Sequence, residues 1–368
     1  MADIVKRPAS LADGRELFYF DDPATTLPPD RAVDRRDLPP RPGTAVMRQD
    51  PLTGEWISIA TARQQRVQLP PAELDPLAPQ TPGNPSEIPA PYDVAVFENR
   101  SPSFGPASAP DAGDLGGIGL NRTAPAVGRC EVVCFSPQHE GAFGSVDRTR
   151  ARTVIEAWAD RTAALSALPG VAQVFPFENR GEAIGVTLRH PHGQIYGYPY
   201  VTPRTQRLIG AIEQYGPTLF ADILASERVG ERVLLAGTHW TAFVPFAARW
   251  PIEIHLLPHR HVADLTQTTA EERDELAVVY LRLLRGLDAM YETPTPYIAG
   301  WHQAPVRSHR DVVRLALQIT SPRRGRDKLK YSAGSEAAMG AWVGDVLPET
   351  QADQLRAAIA RADEETPV

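Results

Sequence analysis

Apolar positions along the chain follow two rhythms. Trp56-Ile57-Ser58-Ile59-Ala60 alternates, and Val94-Ala95-Val96-Phe97 and Glu131-Val132-Val133-Cys134-Phe135 are short runs rich in β-branched residues, so each predicts a strand. From about Val146 to Leu168 the period changes. Val154, Trp158, Thr162 and Leu165 recur at spacings of three and four, which places them on one face of a helix that Gly170 ends. Strands are then expected over Gln173–Phe177 and Ala183–Leu188. The second half repeats the plan. Trp240–Pro245 and Ile252–Leu256 read as paired strands. A helix starts at the capping-box pattern of Thr269 and Glu272, with Leu276, Val279, Tyr280, Leu283, Leu284 and Leu287 on its apolar face. Strands over Tyr297–Trp301 and Val313–Thr320 follow. Each half therefore reads strand–strand–helix–strand–strand, which predicts an α+β fold with a largely antiparallel sheet and flanking helices.

Proline interrupts these elements. The 368 residues include 36 prolines, clustered over 22–43, 68–92 and 102–128 with Gly and Ala. Such segments form neither central strand nor regular helix. Leu77, Ile88 and Tyr92 are interspersed in the second of them, so it is expected to drape over the core rather than to link independent domains. The division expected is an N-terminal lead-in over 1–45, a first half over 46–205 and a second half over 206–368.

Charge and cysteine content narrow the function. A net charge of -7 is not that of a general nucleic-acid binder, which needs an excess of Lys and Arg to neutralise a phosphate backbone. No stretch approaches the roughly 18 consecutive apolar residues of a membrane span, and the N-terminus carries no secretory-type apolar run. A soluble cytoplasmic protein is expected. The two cysteines, Cys130 and Cys134, share one predicted strand, which separates their Cα atoms by roughly 13 Å, too far for a disulfide. They read as small core residues.

The chemistry concentrates in His190-Pro191-His192-Gly193-Gln194. On extended backbone the two imidazoles point to the same side. Such a pair suits metal binding, given further ligands, or nucleophilic catalysis, in which one ring attacks and its neighbour helps fix tautomer and direction. Pro191 stiffens the segment, Gly193 permits close approach of a ligand, and Gln194 sets an amide on the same face as His192. His259-Arg260-His261 is a second His-x-His without partners in sequence, and reads as a loop feature.

The stretch Phe177-Glu178-Asn179-Arg180-Gly181-Glu182-Ala183-Ile184-Gly185-Val186-Thr187-Leu188-Arg189-His190-Pro191-His192-Gly193-Gln194 resembles the active-site segment of the galactose-1-phosphate uridylyltransferase family, within the histidine-triad superfamily. Asp50–Trp56, Phe97–Arg100, Cys134–Pro137, Gly300–Pro305 and Lys330–Glu336 are similar to further blocks of that family, in the same order. The resemblance implies two fused histidine-triad-like halves and a ping-pong exchange of UMP between UDP-glucose and galactose 1-phosphate. His192 would be the nucleophile, Gln194 would bind a non-bridging phosphate oxygen, and the backbone carbonyl of His190 would hold the other nitrogen of His192. Histidine-triad hydrolases carry a third histidine where Gln194 stands, and an amide cannot protonate a leaving group, so Gln194 favours transfer over hydrolysis. The resemblance further assigns Arg63 and Arg66 to the nucleotide phosphates, partly across a homodimer interface. It gives Phe97 and Asn99 to the uracil and ribose, and Asn179, Gly185 and Thr187 to the phosphates, with Thr187 where many relatives have serine. Gln318, Lys330, Ala333, Gly334 and Glu336 fall to the hexose.

The pattern breaks at the metals. Many relatives hold zinc with a Cys-x-x-Cys pair and two histidines. His139 and His190 match the histidines, but Asp75-Pro76-Leu77-Ala78 stands where the cysteines belong, and Ala78 cannot ligate. Of a second metal site only His302 matches, since Arg314-Leu315-Ala316-Leu317-Gln318 replaces the expected His-x-His and no acid lies near Leu208. The expectation is therefore that the zinc site is lost or much weakened, with a structural zinc still an option, that the second site is absent, and that no cofactor is required. Two other readings are left by the sequence: the same mechanism on another nucleotide sugar or sugar 1-phosphate, or a non-catalytic nucleotide-binding module. Arg189 is a further cation beside the motif, either for phosphate or simply exposed.

Overall fold

The computed structural model describes residues 3–41, 43, 45–65, 68–106 and 119–368. In chain order its strands are β1 (Val5–Ser10), β2 (Glu16–Asp21), β3 (Val46–Gln49), β4 (Trp56–Ile59), β5 (Val94–Glu98), β6 (Thr123–Pro125) and β7 (Arg129–Cys134), followed by helix α1 (Arg148–Ser166). Then come β8 (Gln173–Arg180), β9 (His192–Tyr198), α2 (Pro203–Tyr215), α3 (Leu219–Arg228), β10 (Val233–Ala236), β11 (Trp240–Phe243) and β12 (Ile252–Pro258). The chain ends with α4 (Ala270–Ala289), β13 (Tyr297–His302), β14 (Ala316–Ser321), a short hairpin of β15 (Arg323–Gly325) and β16 (Lys328–Leu329), and α5 (Pro348–Glu365).

One sheet of eleven strands carries the molecule, in the order β1-β2-β5-β7-β9-β8-β13-β14-β12-β11-β10. Every described pairing in it is antiparallel. The strand–strand–helix–strand–strand plan appears twice, as β5-β7-β9-β8 and as β11-β12-β14-β13, and the two units meet edge to edge where β8 pairs β13. At that seam Phe177 lies opposite Gly300. Phe177 also lies opposite Gln194, and Gly300 opposite Gln318. Gln194 and Gln318 are therefore counterparts, and two residues before each stand His192 in the first half and Ala316 in the second. The second unit keeps the scaffold and has no histidine at that position.

Both long helices cover one face of the sheet. The predicted faces are buried in full: Val154, Trp158, Thr162 and Leu165 on α1, and Leu276, Val279, Tyr280, Leu283, Leu284 and Leu287 on α4. Asp147 caps α1 by accepting the Arg150 N–H, and the capping box of Thr269 and Glu272 opens α4. The opposite face of the first half is covered by the Pro-rich segment 68–92. It lays Leu77, Ile88, Ala90 and Tyr92 against Tyr19, Phe97, Val132 and Cys134. The small sheet β4-β3-β6 packs further along the same face, with Met47, Trp56 and Phe104 against Tyr196 and Tyr198. Between these covers β8 and β9 are left partly open.

Three expectations are corrected. Residues 1–45 are not only a lead-in, because β1 and β2 form a hairpin that extends the sheet beyond β5. Ala183–Leu188 is not a strand: Glu182–Ile184 makes a short 3-10 turn between Gly181 and Gly185, whose φ angles of 99° and 82° are left-handed values that break an extended run. The strand begins instead at His192. Helices α2, α3 and α5 were not anticipated; α2 and α5 each open with a proline in the first turn, where its missing N–H costs nothing.

At the seam, on the helix-covered face, Glu178 is buried with the Tyr297 hydroxyl 2.9 Å away. Burial pushes its carboxyl up to about 7, against the opposing hydrogen bond from Tyr297 and the charge of Arg180. The folded protein then holds a proton that the unfolded chain releases near its ordinary value of 4.5, so stability falls as pH rises through this window. Urea denaturation between pH 5 and 8 is expected to show that slope, and Glu178→Gln, which cannot ionise, to flatten it; an unchanged slope in the variant would contradict this account.

Candidate active site

His192 is the first residue of β9 and lies opposite Cys134, with its side chain on the face away from the helices. Its Nδ1 is 2.7 Å from the backbone carbonyl of His190. A carbonyl only accepts, so Nδ1 carries the proton and the ring's lone pair sits on Nε2. The backbone thus selects the tautomer that a nucleophilic imidazole requires. Two residues on, Gln194 shares that face, and its Oε1 is buried with no hydrogen-bond partner among the described residues. That oxygen has spare capacity to accept from a donor brought by a ligand. Gly193 between them faces the other way. A Cβ there would come within 2.8 Å of both the Phe135 ring and the Phe177 carbonyl, so only glycine lets β9 approach β8 this closely.

The register lines up further predicted residues. Phe97, Val132, Gln194, Phe177, Gly300 and Gln318 follow one another across neighbouring strands, all on one face. Phe97 is 3% exposed beneath the Pro-rich cover. Asn99, just beyond β5, accepts the Ser101 N–H at 2.9 Å and so shapes a turn. On β8, two residues after Phe177, Asn179 lies opposite Ile298. Gly185 ends the 3-10 turn, and the Thr187 carbonyl accepts the Leu69 N–H at 2.7 Å, tying the approach loop to the cover. Arg63 reaches Tyr196, with its Nη1 3.3 Å from the hydroxyl. Tyr196 is two residues past Gln194 on the same face, roughly 7 Å along the strand. Arg66 lies outside the described residues. Arg189 is exposed and pairs with Glu182 at 3.4 Å.

The residues assigned to the hexose fall into two groups. Lys330 is buried and donates to the carbonyls of Arg249, at 3.3 Å, and Val343, while Glu336 lies 3.4 Å from its ammonium. Ala333 and Gly334 are exposed on the following turn, where the Ala333 N–H donates to Glu336. Lys330 shares a cleft of about 140 Å³ with Ala183, Ile184, Ile298 and Thr320, which sets it beside the loop that follows Asn179. Gln318, by contrast, is engaged in the second half. It accepts from His302 Nε2 at 3.2 Å and donates to Glu253 at 2.6 Å, and His255 donates to the same carboxylate oxygen at 3.1 Å. Burial and the charge of Arg204 push His302 down to about 3, so this ring is neutral.

The positions matching the two family metal sites do not fit a metal. His139 and His190 both turn Nδ1 to one oxygen of Asp75, at 2.9 and 2.6 Å. Two ligands of a single tetrahedral zinc, with bonds near 2.0–2.2 Å, would stand roughly 3.3 Å or more apart. These are hydrogen-bond distances, and Ala78 supplies no donor atom. In the second half His302 faces an amide rather than a ligand set. Among the described residues no group of three or more His, Cys, Asp or Glu is arranged to hold a metal ion. Three contributors escaped the sequence reading, namely Tyr92, Tyr196 and Glu253. Their partners lie mostly far off in the chain, and only Tyr92, an isolated aromatic in a proline-rich segment, left a trace.

Comparison with known proteins agrees with this arrangement. Residues 41–202 match the family model of the galactose-1-phosphate uridyl transferase N-terminal domain, and residues 206–362 match that of the C-terminal domain. A galactose-1-phosphate uridylyltransferase of Streptomyces lividans is 43% identical over 95% of this chain and 97% of its own length. That of Thermotoga maritima is 35% identical over 84% of this chain and 97% of its own. A solved uridylyltransferase structure superposes with a TM-score of 0.76 at 31% identity, covering 86% of this chain and 99% of that one. With both halves matched and the register of the His-Pro-His-Gly-Gln segment in place, the chain belongs to the galactose-1-phosphate uridylyltransferase family.

Proposed function

We infer that this chain exchanges UMP between UDP-glucose and galactose 1-phosphate by a ping-pong reaction through a uridylyl group on His192. The observation that carries the reading is the 2.7 Å hydrogen bond from His192 Nδ1 to the His190 carbonyl, which leaves the Nε2 lone pair for the α-phosphorus. In the first step Nε2 attacks, the bond from the α-phosphorus to the bridging oxygen breaks, and glucose 1-phosphate leaves with both bonding electrons. The ring keeps its Nδ1 proton and becomes cationic, and the His190 carbonyl stabilises that charge. In the second step a phosphate oxygen of galactose 1-phosphate attacks the same phosphorus and frees the imidazole. No external proton donor is needed, because a sugar 1-phosphate is a good leaving group as an anion. Gln194 serves the phosphorane by hydrogen bonding alone.

On this reading Arg63 and Arg66 neutralise the nucleotide phosphates, Phe97 and Asn99 take the nucleoside, and Asn179, Gly185 and Thr187 line the phosphates. Lys330, Ala333, Gly334 and Glu336 hold the hexose, and Gln318 supports that side of the sheet. The protein works as a cytoplasmic homodimer without a required cofactor. No described helix is long and apolar enough to cross a membrane.

Incubation with UDP-glucose labelled at the α-phosphate is expected to leave acid-labile label on the protein, and His192→Gly to remove it while UDP still binds; label retained by the variant would move the nucleophile elsewhere. Gln194→Ala should slow uridylylation by about 100- to 1000-fold, the usual loss for one oxyanion donor. Gln194→His restores a group able to pass protons to water or a leaving group. Its uridylyl-enzyme is therefore expected to lose UMP to water faster than that of the wild type, as measured by the decay of the isolated labelled protein without acceptor.

A further inference from the structure

Asp75 lies in the Pro-rich cover and is 1% exposed. Its carboxylate is anchored before it meets the site. Oδ1 accepts the Leu77 N–H at 2.9 Å, and the Asp75 carbonyl accepts the Asn84 side-chain amide at 2.7 Å. That leaves Oδ2 for two imidazoles, His190 Nδ1 at 2.6 Å and His139 Nδ1 at 2.9 Å. His190 is gripped at its other end as well. Its Nε2 is 2.7 Å from the Ser136 carbonyl and 2.9 Å from the Tyr92 hydroxyl. Both burial and hydrogen bonding act on Asp75: burial alone would raise its carboxyl, and the bonds and charge of His190 hold it below the usual range.

The consequence for catalysis runs through the backbone. Residues 185–191 lie outside the sheet ladder, which begins at His192. The peptide group that orients the nucleophile belongs to His190, one proline away, and the next carbonyl, that of Pro191, is fixed by the Phe135 N–H at 3.0 Å. The His190 ring is thus the handle by which its own carbonyl is aimed at His192. A bound cation between two histidines would hold that handle rigidly, but the 2.6 and 2.9 Å contacts leave no place for one.

We propose that Asp75 is a positioning residue for the nucleophile: its carboxylate clamps His190 and His139 in the place of a metal, and so fixes the carbonyl that holds His192. The proposal rests on His192 being the nucleophile and adds that its alignment is metal-independent in this chain. Outer-shell partners of this kind are worth about 10- to 100-fold when removed.

The test is single-turnover labelling with α-phosphate-labelled UDP-glucose, alongside UDP affinity and thermal unfolding. Asp75→Ala, and the isosteric Asp75→Asn in case the first folds poorly, are expected to slow uridylylation about 10- to 100-fold with UDP affinity changed less than about twofold. The double variant Asp75→Cys with Ala78→Cys is expected to bind one zinc per chain and to regain rate on adding zinc, which a loss of packing alone would not permit. Metal analysis of the wild-type protein after dialysis against a chelator should find less than 0.1 zinc per chain with full activity. Wild-type label rates in Asp75→Asn, or a tightly held zinc whose removal slows the wild type, would overturn the proposal while leaving His192 as nucleophile. No label on the wild type would overturn both.

Discussion

The structure depends on register. Antiparallel pairing carries one lateral row from β5 through β7, β9, β8 and β13 to β14, and a slip of one residue anywhere along it would turn a whole strand over. Phe97, Gln194, Phe177 and Gln318 share a face because every pairing between them is in phase. The helix face takes the complementary set, Val96, Val133, Ile195, Trp301 and Ile319, into the core. Burial of that set under α1 and α4 is what forbids the slip. The same hydrophobic term that stabilises the domain therefore also places His192 and Gln194 on the accessible side.

The seam between the two units explains the division of labour. The pairing of Phe177 with Gly300 sits at the centre of a near two-fold repeat. Gly300 has to be small, since a Cβ would come within 2.5 Å of the Phe175 ring. On one side of it stand His192 and Gln194. On the other, Ala316 and a closed network of His302, Gln318, Glu253 and His255 occupy the matching places. These four side chains bond to one another, which is the behaviour of a support rather than of a reacting centre.

How much of this could be read from the amino-acid order differs by kind. Helical faces were legible because period and burial coincide at Trp158 or Tyr280, and the cap at Thr269 uses local chemistry. The shared face of His192 and Gln194 was legible because they are two residues apart, within the range over which a strand sets direction. The β1–β2 hairpin was not: β1 is an edge strand containing Pro8 and the polar Lys6 and Arg7, a composition that reads as loop. The segment 183–188 misled because its apolar residues alternate, while Gly181 and Gly185 override the pattern with their backbone angles. Asp75 was visible only as a missing cysteine. Its partners lie 64 and 115 residues away, and no local rule connects them.

That last separation has a consequence in time rather than in space. The contact of Asp75 with His190 closes a loop of 115 residues, between a proline-rich cover and a segment outside the sheet ladder. Closing long loops slows folding, and local opening draws on segments with few protected backbone hydrogen bonds. The cover also lacks long runs of backbone ladder, so it is held mainly by Leu77, Ile88 and Tyr92 against the sheet. The chain thus combines a sheet and its helices with a strap, poor in regular ladder, that covers the site, and this strap must close over 115 residues before Asp75 meets His190.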